Sequence, residues 1–233
     1  KYGYEGVLWW RIAQFRTDPW KTASVRTIRS KNLQQYGSAY FLYPPRFEGD
    51  TWHSSLRWEA FRQGIDEYEL LRLLREKLKF VHAALGPEAQ WVSPDLQVRW
   101  WGSLLSTGFR LQTYRRDDGY IQRFRQLLVH EILMTPRPPL VLVDCEPSEA
   151  MDLKSPVLQV RGLCEKGTTV KVNGRKAVVI PGSPAAAFEI DLRLTPGRNL
   201  LTIECTGSDG SAKTLYREVL YHPSQSAFSE KAE

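Results

Sequence analysis

The chain has 233 residues, 42% hydrophobic and 25% charged, which is room for one large domain or two modest ones of ordinary globular composition. No run of 18 or more apolar residues occurs, so no membrane-spanning helix is expected. The net charge of +6 is uneven: residues 1–138 carry 21 Lys/Arg against 14 Asp/Glu, residues 139–233 carry 11 against 12. The basic residues of the first part alternate with acids at helical spacing and form no block of five. That pattern reads as a solvated helix surface and not as a nucleic-acid footprint.

In chain order, the opening Lys1-Tyr2-Gly3-Tyr4 has no Met, basic n-region or apolar h-region, so no secretory signal is expected within the chain. A start inside a strand-like run reads as that of a fragment or processed form. Two nearly continuous apolar runs follow, at about 4–13 and 38–43, as for strands buried on both faces of a parallel sheet. A helix is expected over about 55–85. Its apolar positions recur at steps of three or four from Leu56 to Val81, Ser54 and Ser55 are cap candidates, and Gly86-Pro87 ends it. Further helices are expected over about 94–114 and 117–134. Three prolines within Pro136-Arg137-Pro138-Pro139 then stop the helical pattern, and 135–139 reads as a linker. Beyond it the pattern becomes short alternating strands: Val157–Gly162, Thr169–Val172, Lys176–Ile180, Phe188–Leu192, Leu200–Cys205 and Leu215–Val219. Asn173-Gly174 marks a hairpin. Seven or so strands over 140–222 read as an immunoglobulin-like β-sandwich, with 223–233 as a flexible tail.

The strands L-Q-V-R-G, V-K-V-N-G and F-E-I-D-L, with N-L-L-T-I-E-C and S-D-G, resemble the bacterial immunoglobulin-like domains attached to secreted glycosidases, of the glucodextranase accessory kind. Over 1–134 three segments are similar to the C-terminal portion of the β-N-acetylgalactosaminidase-type glycoside hydrolases and allied domains. They are G-V-L-W-W-R-I-A-Q-F with D-P-W, G-S-A-Y-F-L-Y-P, and S-L-R-W-E-A-F-R-Q-G-I-D-E-Y-E. The resemblance implies a multidomain chain: the last strands and helices of a (β/α)8-type barrel, then the sandwich. It also implies an extracellular or cell-surface setting, a carbohydrate partner, and an upstream part of the barrel or a partner chain to cover exposed sheet edges. No cofactor and no metal are implied. The family's acid pair lies on an earlier strand, so this chain on its own is expected to be inactive. Ala13 stands where that family often has Asn, and Ser38 where it often has Asp.

Barrel sites form at the C-terminal ends of strands. On that reasoning Trp10, Trp20, Tyr43 and Trp52 are candidates for a sugar subsite, with core packing the competing reading for each. Arg57 and Glu59, in the first turn of the long helix, read either as a structural network or as substrate contacts. Asp66-Glu67 does not read as a catalytic pair. Helical neighbours point about 100° apart and cannot both address one glycosidic bond. Arg62 and Arg72 stand at ion-pair spacing from Asp66, Glu69 or Tyr68. The cysteines, Cys145, Cys164 and Cys205, form no metal-ligand spacing. One disulfide with a thiol left over, or three buried thiols, both fit them. The alternative functional reading is a non-catalytic glycan-binding or scaffold protein with an aromatic surface and a sandwich spacer.

Overall fold

The computed structural model describes residues 24–26, 34–36, 42–87, 89–107, 119–147 and 153–223. The run at about 4–13, with Trp10 and Trp20, lies outside them. The chain divides into two compact units, Lys1–Glu67 and Tyr68–Glu233, each described by itself below.

In the first unit, β1 (Ser24–Arg26) pairs antiparallel with β2 (Gln34–Tyr36), a ribbon that the sequence pattern did not announce. Strand β3 (Leu42–Tyr43) pairs antiparallel with β4 (His53–Ser54). This corrects the expectation for 38–43 in its described part: Leu42 and Tyr43 are half-buried and form a short hairpin, not a two-face-buried parallel strand. The reason is local, since Pro44-Pro45 follow at once and end the run. Helix α1 (Leu56–Leu85) begins here. The Ser55 hydroxyl accepts from the Trp58 amide at 3.1 Å, the N-cap interaction that satisfies one of the four unpaired donors of a helix start.

The second unit holds the rest of α1, a 3₁₀ turn (Gln90–Val92), α2 (Pro94–Thr107), α3 (Tyr120–Met134) and eight strands. Leu74, Leu78, Val81 and Leu85, spaced four, three and four, form the buried stripe of α1. Gly86 follows, its amide donating to His82 O at 3.0 Å. Helix α2 is described over Pro94–Thr107 and α3 over Tyr120–Met134, and the expected continuation of α2 to 114 and start of α3 at 117 lie outside the described residues. The Tyr120 hydroxyl donates to Leu104 O at 2.6 Å, and Trp101 meets Phe124 edge-on at 5.8 Å.

The strands are β5 (Val141–Glu146), β6 (Val157–Cys164), β7 (Thr169–Val172), β8 (Arg175–Lys176), β9 (Val178–Ile180), β10 (Ala186–Arg193), β11 (Gly197–Thr206) and β12 (Ala212–Tyr221). They form two four-stranded antiparallel sheets, ordered β5-β6-β10-β9 and β12-β11-β7-β8. Both sheets and all three helices contribute to one hydrophobic cluster. Asn173 and Gly174 both take positive φ, 49° and 76°, as a two-residue hairpin turn between β7 and β8 requires. The expected strand 176–180 is in fact two. Arg175–Lys176 pairs with β7 in one sheet, and Val178–Ile180 pairs with β10 in the other. Gly162 has its own geometric reason: an added Cβ would lie 2.0 Å from Leu142 O and 2.5 Å from the Phe188 ring.

Helices α2 and α3 lie against β5 and β12, the edge strands on one side of the two sheets. Strand β12 turns two cations inward at this edge. Arg217, 2% exposed, makes a two-point ion pair with Glu131 of α3 (2.8 and 2.9 Å) and lies 5.4 Å from the centre of the Trp101 ring. Lys213 donates to the Met134, Thr135 and Arg137 carbonyls at 3.1–3.4 Å, which places a positive charge at the C-terminal end of the α3 dipole. The 135–139 segment therefore lies inside the second compact unit, with Thr135 and Pro139 buried.

Candidate functional site

The sequence candidates that fall among the described residues gather in the first unit, on the β3–β4 hairpin and the first turn of α1. Tyr43 and His53 are cross-strand partners. Trp52, next to His53, is 55% exposed, and Phe47 in the same hairpin loop is 69% exposed. The loop between the strands closes on Asp50. Gly49 takes φ +85°, and the Asp50 amide donates to Phe47 O at 3.2 Å. The Asp50 carboxylate accepts from the Arg46 amide at 2.9 Å and the Thr51 amide at 2.8 Å, and from His53 Nε2–H at 2.8 Å. These donors, led by the Arg46 amide, hold the Asp50 acid at about 2.

Glu59 stands in the first turn of α1. It accepts from Arg62 Nε at 3.0 Å and Nη2 at 2.8 Å. The Ser54 hydroxyl and then Arg62 hold its acid below the usual value. For Arg57 the helical backbone is described and the side chain is not. Arg62 thus pairs with Glu59, three residues earlier, and not with Asp66; Arg72 pairs with Glu69 at 2.8 Å as expected. Asp66 is exposed, whereas Glu67 is 2% exposed and accepts from Gln63 at 3.1 Å. The two acids diverge as helix geometry requires.

This arrangement has definite chemical limits. A glycosidase general acid must keep its proton near neutral pH, which calls for a raised carboxyl pKa. Asp50 and Glu59 are both shifted the other way and serve as anions that order the hairpin and the helix start. What remains for a ligand is the Trp52 ring beside a His–Asp pair, suited to stacking and hydrogen bonding. Sequence reasoning passed over Asp50 and His53. The Gly49-Asp50-Thr51 turn signal, three residues ahead of a histidine, is the pattern that could have drawn attention to them.

In the second unit, Arg161 lies 5.3 Å from the centre of the Trp91 ring and bridges Asp144 and Glu146 at 3.0 and 3.1 Å. Burial raises the Asp144 acid against the pull of Arg161. Among the described residues no group of three or more His, Cys, Asp or Glu side chains is placed to hold a metal ion. No described helix is long and apolar enough to cross a membrane.

Residues 1–74 match the family model of the glycoside hydrolase 123 catalytic domain, and so tie this part of the chain to a carbohydrate-active enzyme family. No curated protein matches the chain. Solved structures share limited likeness. A Bacteroides fragilis protein carrying a β-galactosidase assignment is 17% identical with a TM-score of 0.29, over 42% of this chain and 15% of that one. The endo-β-1,4-mannanase from Thermotoga petrophila is 13% identical with a TM-score of 0.28, over 49% and 29%. CopC from Methylosinus trichosporium OB3b is 16% identical with a TM-score of 0.24, over 35% and 92%. The match thus spans about one seventh of the first of these proteins. At such TM-scores none of the three likenesses bears on what the chain does.

Proposed function

We propose that the chain is the C-terminal part of a glycoside hydrolase acting on an N-acetylhexosaminide-type or related glycan, and that the catalytic acid pair of that enzyme is not among its residues. The observation that carries this reading is the family match over 1–74. It covers the three segments whose motifs resemble late barrel strands and the start of a final barrel helix. In this reading residues 1–134 are the C-terminal portion of the glycoside-hydrolase domain, with Leu42–Tyr43 in a short hairpin and not in a barrel strand, and 140–222 form an immunoglobulin-like accessory sandwich on an exported, extracellular or cell-surface protein. Trp10, Trp20, Tyr43 and Trp52 line a sugar subsite, with Arg57 and Glu59 at the base of the final helix. The chemistry is supportive: Asp50 and Glu59 are held as anions, which removes both as general acids and leaves this region a binding role.

The test is a hydrolysis assay of the 233-residue chain with 4-nitrophenyl N-acetyl-β-galactosaminide. No turnover is expected, and turnover that is lost in Trp10→Ala would refute the reading. A second reading, a non-catalytic glycan-binding protein, draws on the 55% exposure of Trp52. Saturable binding to N-acetylhexosamine-bearing glycans by the chain alone, abolished in Trp52→Ala, would favour it over the fragment.

A further inference from the structure

The three cysteines are free thiols in the structure, all buried, and they sit at two different levels between the sheets. On β6 Leu158, Val160, Gly162 and Cys164 share one buried face, with Leu163 buried on the other, and on β11 the buried positions are Leu201, Ile203 and Cys205. Cys164 and Cys205 therefore point from opposite sheets into the same interior. Both β6 and β11 are inner strands of their sheets, flanked on each side by a paired neighbour.

Several contacts place them at the same end. Cys164 is registered with Val141, and Cys205 with Lys213. Lys213 holds the carbonyls of 134–137, just ahead of Val141. The turns that follow the two cysteines touch as well. A Cβ on Gly167, three residues after Cys164, would lie 3.0 Å from the Cβ of Ser208, three residues after Cys205. On the other strand, a Cβ on Gly207 would lie 3.4 Å from Pro139. Cys205 also feels Cys164 electrostatically: burial first, and Cys164 among the lesser causes, push its thiol up to about 12.

Cys145 is at another level. It is registered with Val160, four residues along β6 from Cys164, a separation of about 13 Å at about 3.3 Å per residue. A disulfide needs Cα atoms within about 7 Å, so Cys145 is out of reach of Cys164 and stands at the wrong level for Cys205.

We propose that Cys164 and Cys205 are an oxidisable pair that closes into a disulfide between the two sheets when the chain folds in the presence of a disulfide oxidant, leaving Cys145 as a thiol. The thiolate of one cysteine attacks a sulfur of the oxidant's S–S bond, forming a mixed disulfide and releasing one oxidant thiol. The other cysteine displaces the second oxidant thiol. Two protein S–H bonds and one oxidant S–S bond are exchanged for one protein S–S bond and two oxidant S–H bonds. The exchange takes place while the sheets are assembling. Cys164 and Cys205 are 0% and 1% exposed in the folded chain, and burial raises their thiols to about 11 and about 12, which makes them inert afterwards. This inference is independent of the carbohydrate reading.

The experiment refolds the full chain from denaturant with oxidised and reduced glutathione, then alkylates it under denaturing, non-reducing conditions. The expected product is lighter by two hydrogens than the reduced chain and takes one alkyl group, on Cys145. Proteolysis then yields a linked peptide pair spanning Cys164 and Cys205 that separates on reduction. The Cys145→Ala variant should form the same bridge and take no alkyl group. Three alkyl groups on the refolded wild type, or a bridge that includes Cys145, would overturn the proposal. If the wild type refolds poorly, the soluble monomeric fraction of Cys145→Ala decides the matter equally well, since two alkyl groups there also defeat the proposal.

Discussion

Arg217 and Glu131 show how much hangs on single side chains in the second unit. Each is almost fully buried, and their ion pair has two hydrogen bonds of 2.8 and 2.9 Å. Arg217 makes a third hydrogen bond, to the Tyr216 carbonyl at 2.9 Å, and its flat guanidinium faces Trp101. A pair like this need not stabilise more than well-packed apolar residues would, because both charges have left water. Breaking it from one side is another matter, since the survivor stays buried and uncompensated. Glu131→Ala is therefore expected to lower the unfolding free energy of the second unit by about 3–5 kcal/mol. Glu131→Leu combined with Arg217→Met should lose much less. Urea denaturation of the two variants beside the wild type checks both statements, and equal losses would sink the account. An inward charge at this position also has a use: it marks β12, an edge strand, as one that must be covered by a helix and not by another strand.

At the scale of elements, the described part of the β3–β4 hairpin, two residues on each strand, is too short to hold itself by ladder bonds. Its order comes from Asp50, which ties the amides of Arg46 and Thr51 to the ring of His53. The pH consequence follows from the direction of the shift. The folded-state acid is lowered to about 2 from an ordinary 3.8, so the stabilisation is complete above about pH 4 and is lost as pH falls towards 2. NMR shifts of the Arg46 and Thr51 amides should titrate with a midpoint near pH 2, and in Asp50→Asn that transition should vanish. A midpoint near 4 would mean that the turn is not held by this carboxylate. The elements also show what a sequence discloses. The alternation of β7, β10 and β11 is legible because one face is buried along the element, and the α1 stripe is legible over Leu74–Leu85, whereas Ile65 and Tyr68 on the earlier part of the expected apolar face are exposed. The β8/β9 division is not, because Lys176–Ile180 reads as one run and only pairing in space reveals that the chain changes sheets at Ala177. The Ser24–Arg26 and Gln34–Tyr36 ribbon is likewise hidden, since S-V-R and Q-Q-Y carry no apolar alternation. Of the candidate site, the residue types Tyr43, Trp52 and Glu59 were legible. The pairing of Asp50 with His53 was not, because its significance lies in a loop closure and not in periodicity.

For the molecule as a whole, the sharpest consequence concerns the second unit, where helices and sheets share one hydrophobic cluster. Three prolines at 136–139 would ordinarily allow the elements on either side to open separately. Here the segment is pinned: Lys213 takes the carbonyls of Met134, Thr135 and Arg137, and Thr135 folds its hydroxyl back on Glu131 O at 2.7 Å. His130 adds a contact from α3 to the Thr214 carbonyl at 2.7 Å. Opening α3 would thus strip β12 of the groups that satisfy Arg217 and Lys213, and opening β12 would strand Glu131. Neither can be exposed alone without leaving a buried charge unpaired. Native-state hydrogen exchange should accordingly give the slowest amides of α3, around Leu128, the same opening free energy as those of β11 and β12, around Ile203 and Leu215. In Glu131→Ala all three groups should lose protection by the same increment, because they report one cooperative event. Were the α3 amides alone to lose protection, with the sheets unchanged, the proline-rich segment would be acting as a hinge and the two parts would fold as separate bodies.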